Sequence, residues 1–328
     1  MTAAPSALHV GDAAFTAARL VAEARRRGLP WDHLPLAGGD QDWSGVAGRA
    51  RRAVVGARWL TQLAVAARRH DVVHVHSATT LPHVRPVSRR FVLHCHGTDV
   101  RTSQYDPARG EGIRAGLRDA EAVFYSTPDL AEHVLPHRPD ATLLPVPVDV
   151  ASIPVWSPAP GLPRVLFASR WEDVKGLDAQ LETAELLVRA LAGLGEVVGL
   201  DWGPAAPSAA ALGVRLVPRL DHAAYLDLLA GSAAVVGQSA GILSASELEA
   251  MATGGPLAVP SSLALYADSA PPVLGSDPAS VTDAVVAVVT DPTLHDAGAS
   301  RSWVERWHGT ARGVDTVSAV YDGVMAAR

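Results

Sequence analysis

Six prolines crowd into residues 144–163 (Pro145, Pro147, Pro154, Pro158, Pro160 and Pro163), and on both sides of them the chain repeats one pattern, a short apolar run followed by a helical one. Proline removes a backbone donor and fixes φ, so neither a helix nor an inner strand tolerates that density, and the stretch reads as an extended connector. Before it, strand-like runs fall at 8–11, 71–77, 91–99, 121–127 and 142–149. After it they fall at 164–169, 196–203, 214–217, 233–237, 257–259 and 273–274. Helical periodicity fills much of the space between, notably up to Arg27 and over 44–69, 177–194, 223–231, 279–290 and 302–327. Buried strands alternating with helices predict parallel sheets covered on both faces. The expected fold is therefore α/β, with two doubly wound, Rossmann-like domains facing a cleft. Residues 1–149 form the first, 150–302 the second, and a terminal helix, 303–328, packs back on the first.

At 328 residues and 48% apolar content the chain is long enough for two cores. It has no apolar run of 18 or more, and residues 1–15 lack the cationic start and apolar stretch of a secretory signal, so a cytoplasmic location is expected. Cys95, the single cysteine, excludes an internal disulfide and a cysteine-built metal cage. A net charge of −6 gives no reason to expect nucleic acid as a partner. That charge is uneven: +3 over residues 1–149 and −9 over the remainder. Residues 44–69 carry Arg49, Arg51, Arg52, Arg58, Arg68 and Arg69 with no acid. They read as a solvated helix face, or as a patch (45–69) for weak peripheral contact with an anionic membrane or a phosphorylated acceptor. Of the 28 basic residues 27 are arginine, and Lys175 is the one lysine. In so arginine-biased a chain, a retained ammonium marks a place that needs a compact point charge, which makes Lys175 a candidate site residue.

Two strand runs end in His-x-His, His74/His76 and His94/His96. Alternate residues share a strand face, but no carboxylate is spaced to complete a metal site, and no metal is expected. His96 precedes Gly97 at a strand end, where open α/β sheets bind ligands. Gly11, followed by Asp12, ends the first strand and would let a ligand approach the backbone. Residues 235–256 read as a buried strand entering a loop that opens a helix. The unpaired first-turn amides and the helix dipole make such a place attractive to anions. Glu249 would sit in the first helical turn, where its carboxylate either grips two hydroxyls of a ribose or, with Ser246, closes a capping box.

Three segments carry a family resemblance. Phe167-Ala168-Ser169-Arg170 with Lys175-Gly176, Leu248-Glu249-Ala250-Met251-Ala252-x-Gly254, and His96-Gly97-Thr98-Asp99 together resemble the family 4 retaining glycosyltransferases, enzymes of the GT-B fold. The resemblance runs from Gly11 to the terminal helices. It implies that Arg170 and Lys175 hold the diphosphate of the donor and that Glu249 binds its ribose. Gly11, Gly241, Ile242, Leu243 and Ser244 would complete the donor site, with Asp12 and Asp99 on the acceptor side. His96 would face the reacting sugar and, with Arg170 and Lys175, carry catalysis. The implied chemistry is front-side attack, the donor phosphate taking the acceptor proton, with no metal and no cofactor beyond the nucleoside-diphosphate sugar, a UDP or GDP derivative.

The expected activity is transfer of a hexosyl unit to a hydroxyl acceptor: a small molecule, a natural product, or an envelope glycan or lipid. Some positions depart from the family. Gly241 and Ser244 stand where it has a glutamate and a glycine, and its first-loop Gly-Gly is present only as Gly11-Asp12. The Gly241 departure keeps two other readings alive. One is a GT-B enzyme with non-standard chemistry, pseudo-glycosyl coupling or nucleotide-sugar epimerisation. The other is a catalytically silent nucleotide-binding partner.

Overall fold

The computed structural model describes residues 4–38, 43–266 and 269–328. The chain divides into two compact units, Met1–Pro147 with Thr310–Arg328, and Val148–Gly309.

The first unit is built on six parallel strands: β1 (Ala7–Val10), β2 (Trp31–Leu34), β3 (Val72–His76), β4 (Val92–Cys95), β5 (Ala122–Tyr125) and β6 (Thr142–Leu143), in the order β2-β1-β3-β4-β5-β6. Side chains alternate across the sheet. Leu8, Val10, Val73, Val75, Leu93 and Cys95 pack on one face with Trp59 and Leu63 of the helix Gly45–Ala67. Ala7, Val72, Val92 and Phe124 pack on the other against Leu20 and Val21 of Thr16–Arg26 and Val314, Val317 and Tyr321 of Thr310–Ala326. The last helix thus folds onto the first sheet. It is separate from Ala297–His308, which ends at Gly309 and stays with the second unit. One strand was not expected: β2, because in Trp-Asp-His-Leu only Trp31 is buried, as befits an edge strand. On Gly45–Ala67, Trp59 and Leu63 are buried while Val46, Val54, Leu60 and Val65 face solvent.

The second unit has five parallel strands: β7 (Arg164–Phe167), β8 (Glu196–Leu200), β9 (Arg215–Val217), β10 (Ala234–Val236) and β11 (Leu257–Ala258), in the order β11-β10-β7-β8-β9. Its core gathers Val165, Phe167, Trp171, Leu187, Val236 and Val285. Residues 273–274 make no strand; Leu274 contributes one isolated bridge to Ala258. The proline-rich segment is extended, yet it is no free connector. Trp156 and Ser157 donate their amides to the carbonyls of Thr253 and Ala230, and the Trp156 indole N–H donates to Ser232.

Each strand order reverses direction once, between β1 and β3 in the first sheet and between β7 and β10 in the second. At such a switch point the loops leaving neighbouring strands diverge, and the gap beyond the strands' C-terminal ends is where doubly wound sheets bind ligands. No helix among the described residues is long and apolar enough to cross a membrane.

Candidate functional site

In the second unit the two strands flanking the switch point lead directly into the two segments singled out from sequence. β7 runs into Ser169 and Arg170, and β10 into Gln238 and the loop that carries Gly241, Ile242, Leu243 and Ser244. The loops are joined: the Ser239 amide donates to the Lys175 carbonyl at 2.8 Å. Gly176 makes that contact possible. It has φ +73° at the head of Leu177–Ala190, and a Cβ there would lie 2.7–2.8 Å from Ser239. Arg170 is positioned from below by Trp171, which is fully buried and donates its indole N–H to the Leu200 carbonyl of β8. Gly203, at φ +105°, leaves room for the Trp171 backbone, which a Cβ would meet at 2.4 Å. The half-exposed Arg170 guanidinium forms an ion pair with Glu172 and lies 5.6 Å from the Trp202 ring centre, with Arg219 at 4.7 Å from the same ring. Two guanidiniums thus share the Trp202 ring at the carboxyl edge of the sheet, and Lys175 ends the turn that opens the helix on the same edge, an arrangement that suits a polyanion.

The helix after the second loop corrects one expectation. It begins at Ala245 with Ser244 as its cap, so the capping box is Ser244 with Glu247, two residues earlier than Ser246 with Glu249. The fully buried Glu247 accepts from the Ser244 amide at 2.9 Å and from the Ser244 hydroxyl, and its other oxygen accepts from the Gln238 amide at 3.1 Å. Glu249 lies two residues further on, in the second turn and outside the capping box. Its side chain is 3% exposed and accepts from Nε2 of the half-exposed His222 at 2.9 Å. Beneath it Tyr225 donates to the Ala168 carbonyl, its phenol pushed well above the usual range by burial and then by Glu247 and Glu249. His222, Tyr225 and Trp202 were missed from sequence. The available signal was position, because Trp202 follows β8 and Asp221, which caps the helix of His222, follows β9, both on the carboxyl edge that bears the candidate site.

These roles separate in one paired experiment. Glu247→Ala leaves two backbone amides without their acceptor, at about 1–3 kcal/mol each, so urea denaturation is expected to read a loss of about 3 kcal/mol. Glu249→Ala leaves the capping box intact and removes the carboxylate that faces His222, so nucleotide affinity is expected to fall while Glu247→Ala shows the larger loss in urea.

The first unit collects the remaining residues around its own switch point. Gly11, at φ +79°, closes β1, where a Cβ would approach the His76 carbonyl at 3.2 Å. Asp12 accepts from the Ala17 amide at 2.9 Å, and burial raises its carboxyl against that bond. The left-handed pair in this loop is Ala14-Phe15, with φ of 52° and 59°. Together with Ser77 at 79° after β3, these are the described non-glycine residues with positive φ. All three border the switch point, and strain held there by the surrounding fold is characteristic of binding loops. Asp99, expected on the acceptor side, is 2% exposed and spends both oxygens on the backbone. Oδ1 accepts from His96, Gly97 and Val100, and Oδ2 from Ala78 at 2.9 Å. It fixes the loop that carries His96.

The four strand histidines share one face of this sheet, joined by His9, which the sequence reading passed over. Ligand nitrogens of His9, His74 and His76, and of His76, His94 and His96, lie within 4.8 Å of one another. Burial lowers the pKa of every one of them, to about 3 for His9 and about 4 for His96, and raises the thiol of buried Cys95.

No protein-family model matches the sequence, and no curated protein resembles it in sequence. Solved structures do resemble it in fold. AviGT4, a glycosyltransferase involved in avilamycin A biosynthesis, superposes with a TM-score of 0.67 at 19% identity, over 99% of both chains. Anabaena HepE in complex with UDP-glucose superposes at 0.66 and 12% identity, over 97% of this chain and 100% of that one. A candidate UDP-N-acetylglucosamine 2-epimerase from Listeria monocytogenes superposes at 0.64 and 13% identity, over 99% and 98%. The fold is the GT-B type, two Rossmann-like units each with a parallel sheet.

Proposed function

We propose that the chain is a retaining, metal-independent glycosyltransferase of the family 4 type that moves a hexosyl unit from a UDP-sugar to a hydroxyl acceptor. The observation that carries the reading is the backbone bond that joins the turn of Lys175 to the loop leading to Gly241–Ser244 at the second switch point, just after the strand that ends beside Arg170, with Glu249 buried and outside the capping box. Breaking a sugar–phosphate bond loads charge onto the departing diphosphate, and fixed cations with first-turn amides stabilise that charge as it forms. UDP is favoured over GDP because HepE, of the same fold, holds UDP-glucose. Glu249 grips the ribose, giving up His222 to do so, and Arg170, Lys175 and the helix start take the diphosphate. The acceptor proton passes to the leaving phosphate oxygen, so no carboxylate base is required. The family resemblance assigns His96 to the transferred sugar and Asp12 to the acceptor.

A second reading, epimerisation of the UDP-sugar, is favoured by two observations: Gly241 where the family carries a glutamate beside the sugar, and the fold likeness to the Listeria protein. Incubating the chain with UDP-glucose and UDP-N-acetylglucosamine without an acceptor separates the two by NMR. Transfer chemistry predicts slow release of UDP and of a sugar whose anomeric configuration is first retained. An epimerised sugar would favour the second reading, and recovery of unchanged donor from a folded sample would count against both.

A further inference from the structure

On the sheet face that meets Thr16–Arg26 and Thr310–Ala326, five side chains form one hydrogen-bonded file. His96 Nε2 meets His76 Nδ1 at 3.1 Å, and His76 Nε2 meets His9 Nδ1 at 3.0 Å. His9 Nε2 meets the Tyr321 hydroxyl at 3.2 Å, and that hydroxyl meets His74 Nδ1 at 2.6 Å. The two end atoms, His96 Nδ1 and His74 Nε2, are buried with no partner. His94 stands beside the file, outside it.

A neutral imidazole carries one N–H and one lone pair, and a phenol one proton. Burial keeps all four histidines neutral, so a file in which every contact is bonded and the buried Tyr321 proton is also used has just two proton arrangements. Either every N–H lies on Nε2 and points toward His74, or every N–H lies on Nδ1 and points toward His96. Each leaves one orphaned donor and one orphaned acceptor, and a buried orphaned donor is the rarer and costlier of the two. The choice therefore depends on which end better bears an N–H. His74 lies stacked between His76, 4.6 Å away at 6°, and Phe124, 5.5 Å away at 15°. His96 lies at the carboxyl edge, only part-buried as a residue, in the field of the Asp99 carboxylate, which favours a proton there.

We propose that Tyr321, His9 and His76 are positioning residues that hold His96 as its Nδ1–H tautomer. His96 Nε2 is then occupied as an acceptor, and the one proton the ring can offer a ligand oxygen is Nδ1–H, which is buried and unpartnered in this structure. It cannot serve as a base. The inference deepens the reading of His96 as a site residue, but its test needs no substrate, so the two can fail separately.

The experiment is long-range imidazole 15N NMR of the full chain at pH 7.5, with Tyr321→Phe alongside. The expected result is a protonated Nδ1 and bare Nε2 on His9, His74, His76 and His96 in the wild type. In Tyr321→Phe the His9 end loses its donor, and the His96 signals should move toward a mixture of tautomers, an effect that loss of packing alone would not produce at a residue Tyr321 does not bond. Protonated Nε2 on His96, unlike tautomers within the file, or an unmoved His96 in a folded Tyr321→Phe would overturn the proposal. So would a shift of these resonances on adding one equivalent of Zn2+, which would make the cluster a metal site. Should Tyr321→Phe fail to fold, the wild-type tautomers alone decide.

Discussion

Lowering the pH from 7.5 to 5.5 is expected to unfold the first unit. His9, His74, His76, His94 and His96 are neutral when folded, since burial holds each well below its usual range. In the unfolded chain each takes a proton near pH 6.5. The unfolded state therefore binds more protons below that pH, and stability present in full above 6.5 drains away as the pH falls toward the folded values. One pH unit below 6.5 the loss is about 1.4 kcal/mol per histidine, or about 7 kcal/mol for five, comparable with the whole stability of many domains. Carboxylates titrate lower and leave this window to the histidines. Urea midpoints followed by circular dichroism at half-unit steps should fall steeply from pH 6.5. His94→Leu, which removes one titrating group and leaves the hydrogen-bonded file intact, should flatten the slope by about one fifth. A midpoint constant from pH 7.5 to 5.5 would mean that these side chains are protonated in the folded protein.

The second large effect is catalytic. Lys175→Ala and Arg170→Ala are each expected to lower kcat by about 10²–10³-fold, the range found when one preorganised donor to a developing negative charge is removed. The fold should survive both changes. Arg170 is 37% exposed and pairs with the similarly exposed Glu172, a surface interaction worth at most about 1 kcal/mol. Lys175 ends a short turn outside the core. Equal circular dichroism with near-normal turnover in both variants would remove these residues from the chemistry.

Much of this was legible because strand runs in a parallel sheet are buried on both faces and stand out as apolar stretches. Placing β7 and β10 from such runs also placed Arg170, Lys175 and the Gly241–Ser244 loop, since these candidate residues come just after the strands. Helix register was less legible. Ser244-x-x-Glu247 and Ser246-x-x-Glu249 fit the same pattern, and only the observed helix start decides which glutamate caps and which is spared. The left-handed pair Ala14-Phe15 left no trace, because neither residue is the glycine or asparagine that such a backbone usually takes. The file ending at His96 was hidden by distance along the chain: Tyr321 lies 312 residues from His9, and a lone strand histidine resembles any other buried polar residue.

The central claim, a nucleoside-diphosphate site at the second switch point, is tested most directly by UDP itself. Thermal unfolding of the full chain should shift upward by several degrees at 100 times the dissociation constant, where binding adds about 2.7 kcal/mol, and the shift should vanish in Lys175→Ala. A well-folded wild type that UDP, GDP, ADP and dTDP all leave unshifted would contradict the claim, and would leave a GT-B chain that has lost its donor.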